Sequence, residues 1–213
     1  MCIIGLLGDI HGHYNEIFDS ISKNVSVPVD FWIQVGDMGG EDMTYPDFPF
    51  PCYFIQGNHE NWNIIDEMKK GNLPNNIHFM ENGEVYTINN IRVLCMGGNF
   101  SPKYSMLNRS DIPLSRRRHY IYEDIDKAFK ATNIDIFVTH EAPSPFNKRD
   151  KDVGQITLTN VIAQVQPKIH FFGHHHHYYE TNYVGVPSYG LSFGTVSCLL
   201  YDTENKVVTK VNF

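Results

Sequence analysis

A layered α/β fold with a partly antiparallel second half is what the sequence predicts, on three observations. Short β-like apolar runs recur along the chain, helical stretches separate some of them early on, and hairpin signals join the later ones. Polar side chains able to bind metal also fall just beyond five of these runs, where ligand sites in open α/β sheets gather.

The elements follow in order. "MCIIGLLG" is apolar but lacks the basic lead-in and small-residue cleavage site of a signal peptide, so it reads as a first buried strand. The helical stretch "YNEIFDSISK" comes next, then strands in "FWIQV", "CYFIQ" and "IHFM". "EVYTI" and "IRVLCM" flank Asn89-Asn90, the chemistry of a tight hairpin turn. In "YEDIDKAFKAT", Ile125, Ala128 and Phe129 share one helical face. "DIFVT" and "KIHFF" bracket a third helix in "QITLTNVIAQVQ"; "YYETNYV", "TVSCLLY" and "KVVTKV" close the chain, with a turn at "DTENK". There is no repeat and no Gly-, Ser- or Pro-rich linker, so residues 1–213 read as one domain.

Composition narrows the function. With 42% hydrophobic and 19% charged residues the chain is globular, and no apolar run reaches membrane-spanning length. A net charge of −7 argues against general coating of nucleic acid. A small phosphorylated substrate or a short nucleic acid remains open, because bound metal ions would dominate the local potential. Cys2, Cys52, Cys95 and Cys198 lie far apart in strand-like contexts, which predicts free thiols in a reducing compartment, hence a cytoplasmic protein.

The strand-end residues are Asp9 and His11, Asp37, Asn58 with His59 and Glu60, His140, and the histidine run after Gly173. Taken singly each is ordinary. "GDIHGH" and "GDMGG" read as turns, "GNHE" as a helix cap with Asn58 capping and Glu60 facing the dipole, and His140 as a core histidine. Turn chemistry alone does not produce all of them together.

In this order, "GDIHG", "GDMGG", "GNHE", "VTHEAP" and "GHHHH" resemble the calcineurin-like metallophosphoesterase superfamily over about residues 3 to 180. "GDMGG" departs from the pattern after its aspartate, where an acidic or other polar residue is usual. The resemblance implies an αββα sandwich of two mixed sheets flanked by helices, with a dimetal site at the carboxyl ends of strands. It implies one metal on Asp9, His11 and His176, a second on Asn58, His140 and His174, and Asp37 bridging both. Carboxylate, imidazole and amide oxygen together suit Mn, Fe or Zn. The implied activity is hydrolysis of a phosphoester, a phosphodiester being favoured, through attack by a metal-bridging hydroxide. His59 would stand beside the leaving group as proton donor. The alternatives are a phosphomonoesterase such as a protein phosphatase, which shares the "GDIHG" and "GNHE" wording, and a non-catalytic scaffold. Scaffolds typically lose ligand histidines, and none is lost here.

Within "FFGHHHHYYE", residues 171–180, extended backbone would turn His174 and His176 to one side and His175 and His177 to the other. His13, His78, His119 and His170 read as ordinary. A basic and aromatic stretch with Tyr104, Arg116, Arg117 and Arg118 is a candidate substrate rim, since arginine suits phosphate and aromatic rings stack on bases. "GNHE", "LPNNIHFM", "GGNF" and "DIFVTHEAP" are also similar, more thinly, to RNA lariat debranching enzymes, although Asp9 is kept here where the eukaryotic ones replace it.

Overall fold

The computed structural model describes residues 2–40, 42–72 and 76–213; Leu73, Pro74 and Asn75 of "LPNNIHFM" fall outside them. The strands are β1 (Ile3–Leu7), β2 (Phe31–Gln34), β3 (Cys52–Ile55), β4 (Ile77–Met80), β5 (Val85–Ile88), β6 (Ile91–Met96), β7 (Asn99–Phe100) and β8 (His119–Tyr120). There follow β9 (Ile136–Thr139), β10 (Asn147–Lys148), β11 (Lys151–Asp152), β12 (Ile169–Phe172), β13 (Tyr179–Tyr183), β14 (Val186–Gly190), β15 (Ser197–Asp202) and β16 (Val207–Asn212). Helices are α1 (Tyr14–Asn24), α2 (Trp62–Lys69), α3 (Tyr122–Phe129) and α4 (Ile156–Val165).

Two six-stranded sheets result, ordered β16-β15-β1-β2-β3-β4 and β13-β14-β12-β9-β6-β5. Both are mixed: β1 to β4 run parallel and β15 joins antiparallel, while β14, β12, β9 and β6 run parallel between antiparallel edges. The α/β sandwich expected from the sequence is the observed architecture.

Alternation along the strands sorts side chains into three apolar layers. Ile4 and Leu6 of β1, Ile33 of β2, Ile136 and Val138 of β9, and Ile169 and Phe171 of β12 meet between the sheets. On one outer face Trp32 and Phe54 pack under Ile17 and Ile21 of α1 and Ile65 of α2. On the other, Phe137 and Phe172 pack under Ile125 and Ala128 of α3 and Leu158, Val161 and Ile162 of α4. Burying one such side chain contributes about 1.5–3 kcal/mol, so the layers hold the strand ends in a fixed relation.

The Asn89-Asn90 turn forms as expected, with φ of 47° and 66° joining Ile88 to Ile91. One reading needs correction. Helix α2 follows the "GNHE" loop, but its cap is Asn61, whose side chain accepts hydrogen bonds from the backbone N–H of Asn63 and Ile64. Asn58 is thereby free for other work. Cys52, Cys95 and Cys198 are buried free thiols, and Cys2 is a half-buried one.

Candidate metal centre

The carboxyl ends of β1, β2 and β3 in one sheet face those of β9 and β12 in the other. Two clusters form there, Asp9–His11–His176 and Asp37–His140–His174, each with its ligand atoms within 4.8 Å of one another. Asp37 lies between the clusters, with Oδ2 3.5 Å from Nε2 of His11 and Oδ1 3.6 Å from Nε2 of His140. Asp9 Oδ2 is 2.9 Å from Nε2 of His176. The side-chain amide oxygen of Asn58 is 3.1 Å from Nε2 of His140, and Nδ1 of His174 is 3.2 Å from the same nitrogen.

The loops approach closely because small residues allow it. A Cβ on Gly57 would collide with the backbone nitrogen and carboxylate of Asp37. A Cβ on Gly173 would stand 2.7 Å from Asp9 Oδ1. Backbone hydrogen bonds then fix the parts: His11 N–H donates to Asp37 C=O at 2.9 Å, His59 N–H to Asp37 Oδ1 at 2.8 Å, and His174 N–H to Asp9 Oδ1 at 3.0 Å.

The route by which the histidine run reaches the centre differs from the sequence expectation. His174 and His176 do face Asp9 and His140, but the backbone there is not extended. Both residues are left-handed, with φ of 67° and 58°, as are His11 at 46° and Asp37 at 59°. Such conformations cost non-glycine residues on the order of 1–3 kcal/mol each and cluster where geometry serves function. His175 instead stacks on Phe146, rings 4.3 Å apart and 13° from parallel, and His177 is exposed.

Charge is concentrated and, for three of the groups, buried. Asp9, Asp37 and His140 are almost wholly buried. Burial alone would raise the pKa of Asp9, yet the hydrogen bond with His176, the charge of His140 and the His174 N–H hold it below the ordinary carboxylate value. His140 is held above the usual imidazole range: burial opposes its charge, and the carboxylates of Asp37 and Asp9 overcome that. Burial pushes His174 down to about 3, which keeps a neutral imidazole ready as a ligand. His175 is pushed down to about 4 by burial first and the charge of Lys148 next.

The donor set fits divalent metal. Nδ1 of His140 lies 2.9 Å from the Val35 carbonyl and can only donate to it, which in the neutral ring leaves a lone pair on Nε2. That lone pair, the Asn58 amide oxygen and an Asp37 oxygen converge, and acceptors converging in a buried site call for a cation.

Several participants take roles that were not read from the sequence. Glu60 is buried and accepts from the backbone N–H of Gly57 and Met38 at 2.9 and 3.1 Å and from the Tyr45 hydroxyl. It ties the Asp37 loop to the Asn58 loop, and burial lifts its pKa to about 8. Glu141 does similar work behind His140, accepting from Phe100 N–H and the Tyr120 hydroxyl. Phe193 walls the site, its ring 5.5 Å from that of His11 and 15° from parallel. For Glu60 and Glu141 the one signal available was adjacency to a ligand or to its loop; Phe193 carried none.

The other sequence candidates divide. His59 is exposed, its ring 5.5 Å from that of His11. Arg117 is tied to Asp66 at 2.9 Å. Tyr104 stacks on His119 at 5.1 Å, with the Lys103 ammonium 5.3 Å from its ring centre. Arg116 and Arg118 have no carboxylate partner among the described residues, and Arg118 Nε is buried without a hydrogen-bond partner. His13 pairs with Glu16, His78 stacks on Tyr53, and His170 is buried with Nε2 3.0 Å from the Thr139 hydroxyl. Among the described residues no helix is long and apolar enough to cross a membrane.

A family model described as calcineurin-like phosphoesterase matches residues 3–178. Among solved structures, TT1561 of Thermus thermophilus aligns with a TM-score of 0.72 at 10% identity, over 99% of this chain and 98% of that one. GAP50, the anchor in the inner membrane complex of Plasmodium, aligns at 0.51 and 12% identity, over 100% and 89%. A putative 5'-nucleotidase from Staphylococcus aureus, in complex with alpha-ketoglutarate, aligns at 0.52 and 12% identity, over 99% and 53%. At these identities the likeness is one of fold. No curated protein matches the chain.

Proposed function

Because the chain belongs to the calcineurin-like phosphoesterase family, we propose that it is a two-metal hydrolase of phosphoesters, with a phosphodiester as the favoured substrate. The observation that supports this best is the position of Asp37, one oxygen toward His11 and the other toward His140. A shared carboxylate is what two ions about 3.5–4 Å apart require.

In this reading Asp9, His11 and His176 hold one ion, Asn58, His140 and His174 hold the other, and Asp37 serves both. Bound there, the ions would supply an acidified water near neutral pH and positive charge against the phosphate oxygens. The protein groups do the rest. Asn58 contributes a neutral oxygen, so the centre carries less negative charge where an anionic ester must enter. Val35 fixes the tautomer of His140. In the same reading His59, exposed beside His11, gives a proton to the departing alkoxide, an effect worth about 10²–10⁴ in rate.

The test is a substrate panel with Mn²⁺-loaded protein: bis-p-nitrophenyl phosphate, p-nitrophenyl phosphate, cyclic nucleotides and short RNA. Faster turnover of the diesters is expected. A preference for p-nitrophenyl phosphate would move the assignment to monoesters, and no turnover of any ester with metal bound would leave a non-catalytic role.

A further inference from the structure

The loop that carries His140 runs on into the hairpin β10–β11, which no role described above uses. Its base is locked to the histidine loop, because Phe146, immediately before β10, stacks on His175 between His174 and His176. Asp152 braces the hairpin from the other strand, accepting from the N–H groups of Phe146 and Gly154, both at 2.9 Å, and from the Ser144 hydroxyl. Asn147 pairs with Asp152 and Lys148 with Lys151, and the turn residues Arg149 and Asp150 have φ of 50° and 61°. At the usual rise per strand residue the turn stands about 7–10 Å beyond Phe146. Every residue from Asn147 to Asp152 is exposed.

Three cations lie on this short arm: Lys148, Arg149 and Lys151. Elsewhere Lys69, Lys70, Arg109, Arg117, Lys127 and Lys168 each pair with a carboxylate. Among the described residues the three arm cations have neither a carboxylate partner nor an aromatic ring beneath them. In a chain of net charge −7, a braced arm whose three cations outnumber its two carboxylates, Asp150 and Asp152, and pair with neither, favours an anion next to a proposed catalytic centre. Tyr179 adds a second feature. It packs edge-on against Phe146 at 5.2 Å and stays 41% exposed, so an aromatic ring stands open at the base of the arm. Cations for phosphate beside an aromatic for a base are the two components of single-strand recognition.

We propose that the Asn147–Asp152 hairpin binds the phosphates of a single-stranded oligonucleotide flanking the ester held at the metal centre, with Tyr179 under an adjacent base. This rests on the phosphoesterase reading for the chemistry but not for the binding. It gives the favoured diester a class: an oligonucleotide, not a small isolated diester. Arm contacts form equally before and during reaction, so they set KM and strand affinity and leave kcat alone.

The test compares Lys148→Ala/Lys151→Ala with Lys23→Ala/Lys130→Ala, which removes the same charge from exposed lysines outside the arm. Affinity for a fluorescein-labelled eight-nucleotide single strand is read by anisotropy in Ca²⁺ at several salt concentrations. Turnover of bis-p-nitrophenyl phosphate is read in Mn²⁺. The arm variant is expected to bind the strand roughly tenfold more weakly, with the salt slope shallower by roughly 1.4, and to hydrolyse bis-p-nitrophenyl phosphate unchanged. The control variant should match wild type in both. Equal loss in the two variants, or no loss in either, overturns the arm. Arm-dependent strand binding by a protein that hydrolyses no ester keeps the arm and removes the phosphoesterase reading instead.

Discussion

Nε2 of His176 lies 2.9 Å from Oδ2 of Asp9, across 167 positions of sequence. The contact closes the ring of loops around the centre, and it sets the first expectation. His174→Ala and His176→Ala should each lose metal and phosphoesterase activity, read by metal analysis and turnover. His175→Ala should keep its metal and lose only the stack on Phe146, about 0.5–1.5 kcal/mol in denaturant unfolding. His177→Ala should be neutral. Equal loss of metal in all four would contradict the division.

The sandwich was legible because its strands are dense in Ile, Val and Phe and because each polar strand end interrupts them abruptly. Which histidines of the run face Asp9 was legible too, but not why. Alternation in an extended strand predicts the pattern that two left-handed residues, His174 and His176, in fact produce. The cap of helix α2 escaped notice because Asn61 sits three positions past the asparagine that looks like one. The roles of Glu60 and Glu141 were signalled only by adjacency to a ligand or its loop, and that of Phe193 by nothing. They arise only when loops from distant strands close over these side chains, and no local pattern encodes that. The ion pair of Arg117 with Asp66 was hidden for the same reason, since the two lie 51 positions apart.

His59 separates chemistry from metal binding. Its side chain is exposed while its backbone N–H holds Asp37 Oδ1. His59→Ala keeps that N–H, so metal content should stay near wild type while kcat on an alkyl phosphoester falls by roughly 10²–10⁴. The loss should be smaller on p-nitrophenyl esters, whose leaving group needs little protonation. Unchanged rates on the alkyl ester would remove the role.

Glu60 should matter without touching substrate. Glu60→Ala leaves the buried N–H groups of Met38 and Gly57 and the Tyr45 hydroxyl without their acceptor. Stability should fall by about 2–4 kcal/mol, and metal titration should show weaker binding because both ligand loops loosen. A variant as stable as wild type would show that the strut is dispensable.

Acid should act on the fold through His170. Burial pushes its pKa down to about 3, so between that value and the unfolded imidazole pKa the proton prefers the unfolded chain. Stability from this group is therefore complete above about pH 6.5 and falls as pH drops, by about 2 kcal/mol from pH 7 to pH 5. His170→Gln has no such proton to gain. In EDTA, the stability difference between wild type and His170→Gln should shift by that amount in favour of the variant over this interval. A difference independent of pH would mean the ring titrates alike in both states.

The central claim is that two ions share Asp37, and a Mn²⁺ titration of metal-free protein by calorimetry tests it most directly. Wild type should take up two ions per chain. Asp9→Asn should lose the ion of Asp9, His11 and His176 and keep the other, whereas Asp37→Asn should weaken both together. Binding of a single ion by wild type, or an Asp37→Asn variant that keeps one site at full affinity, would contradict the shared centre.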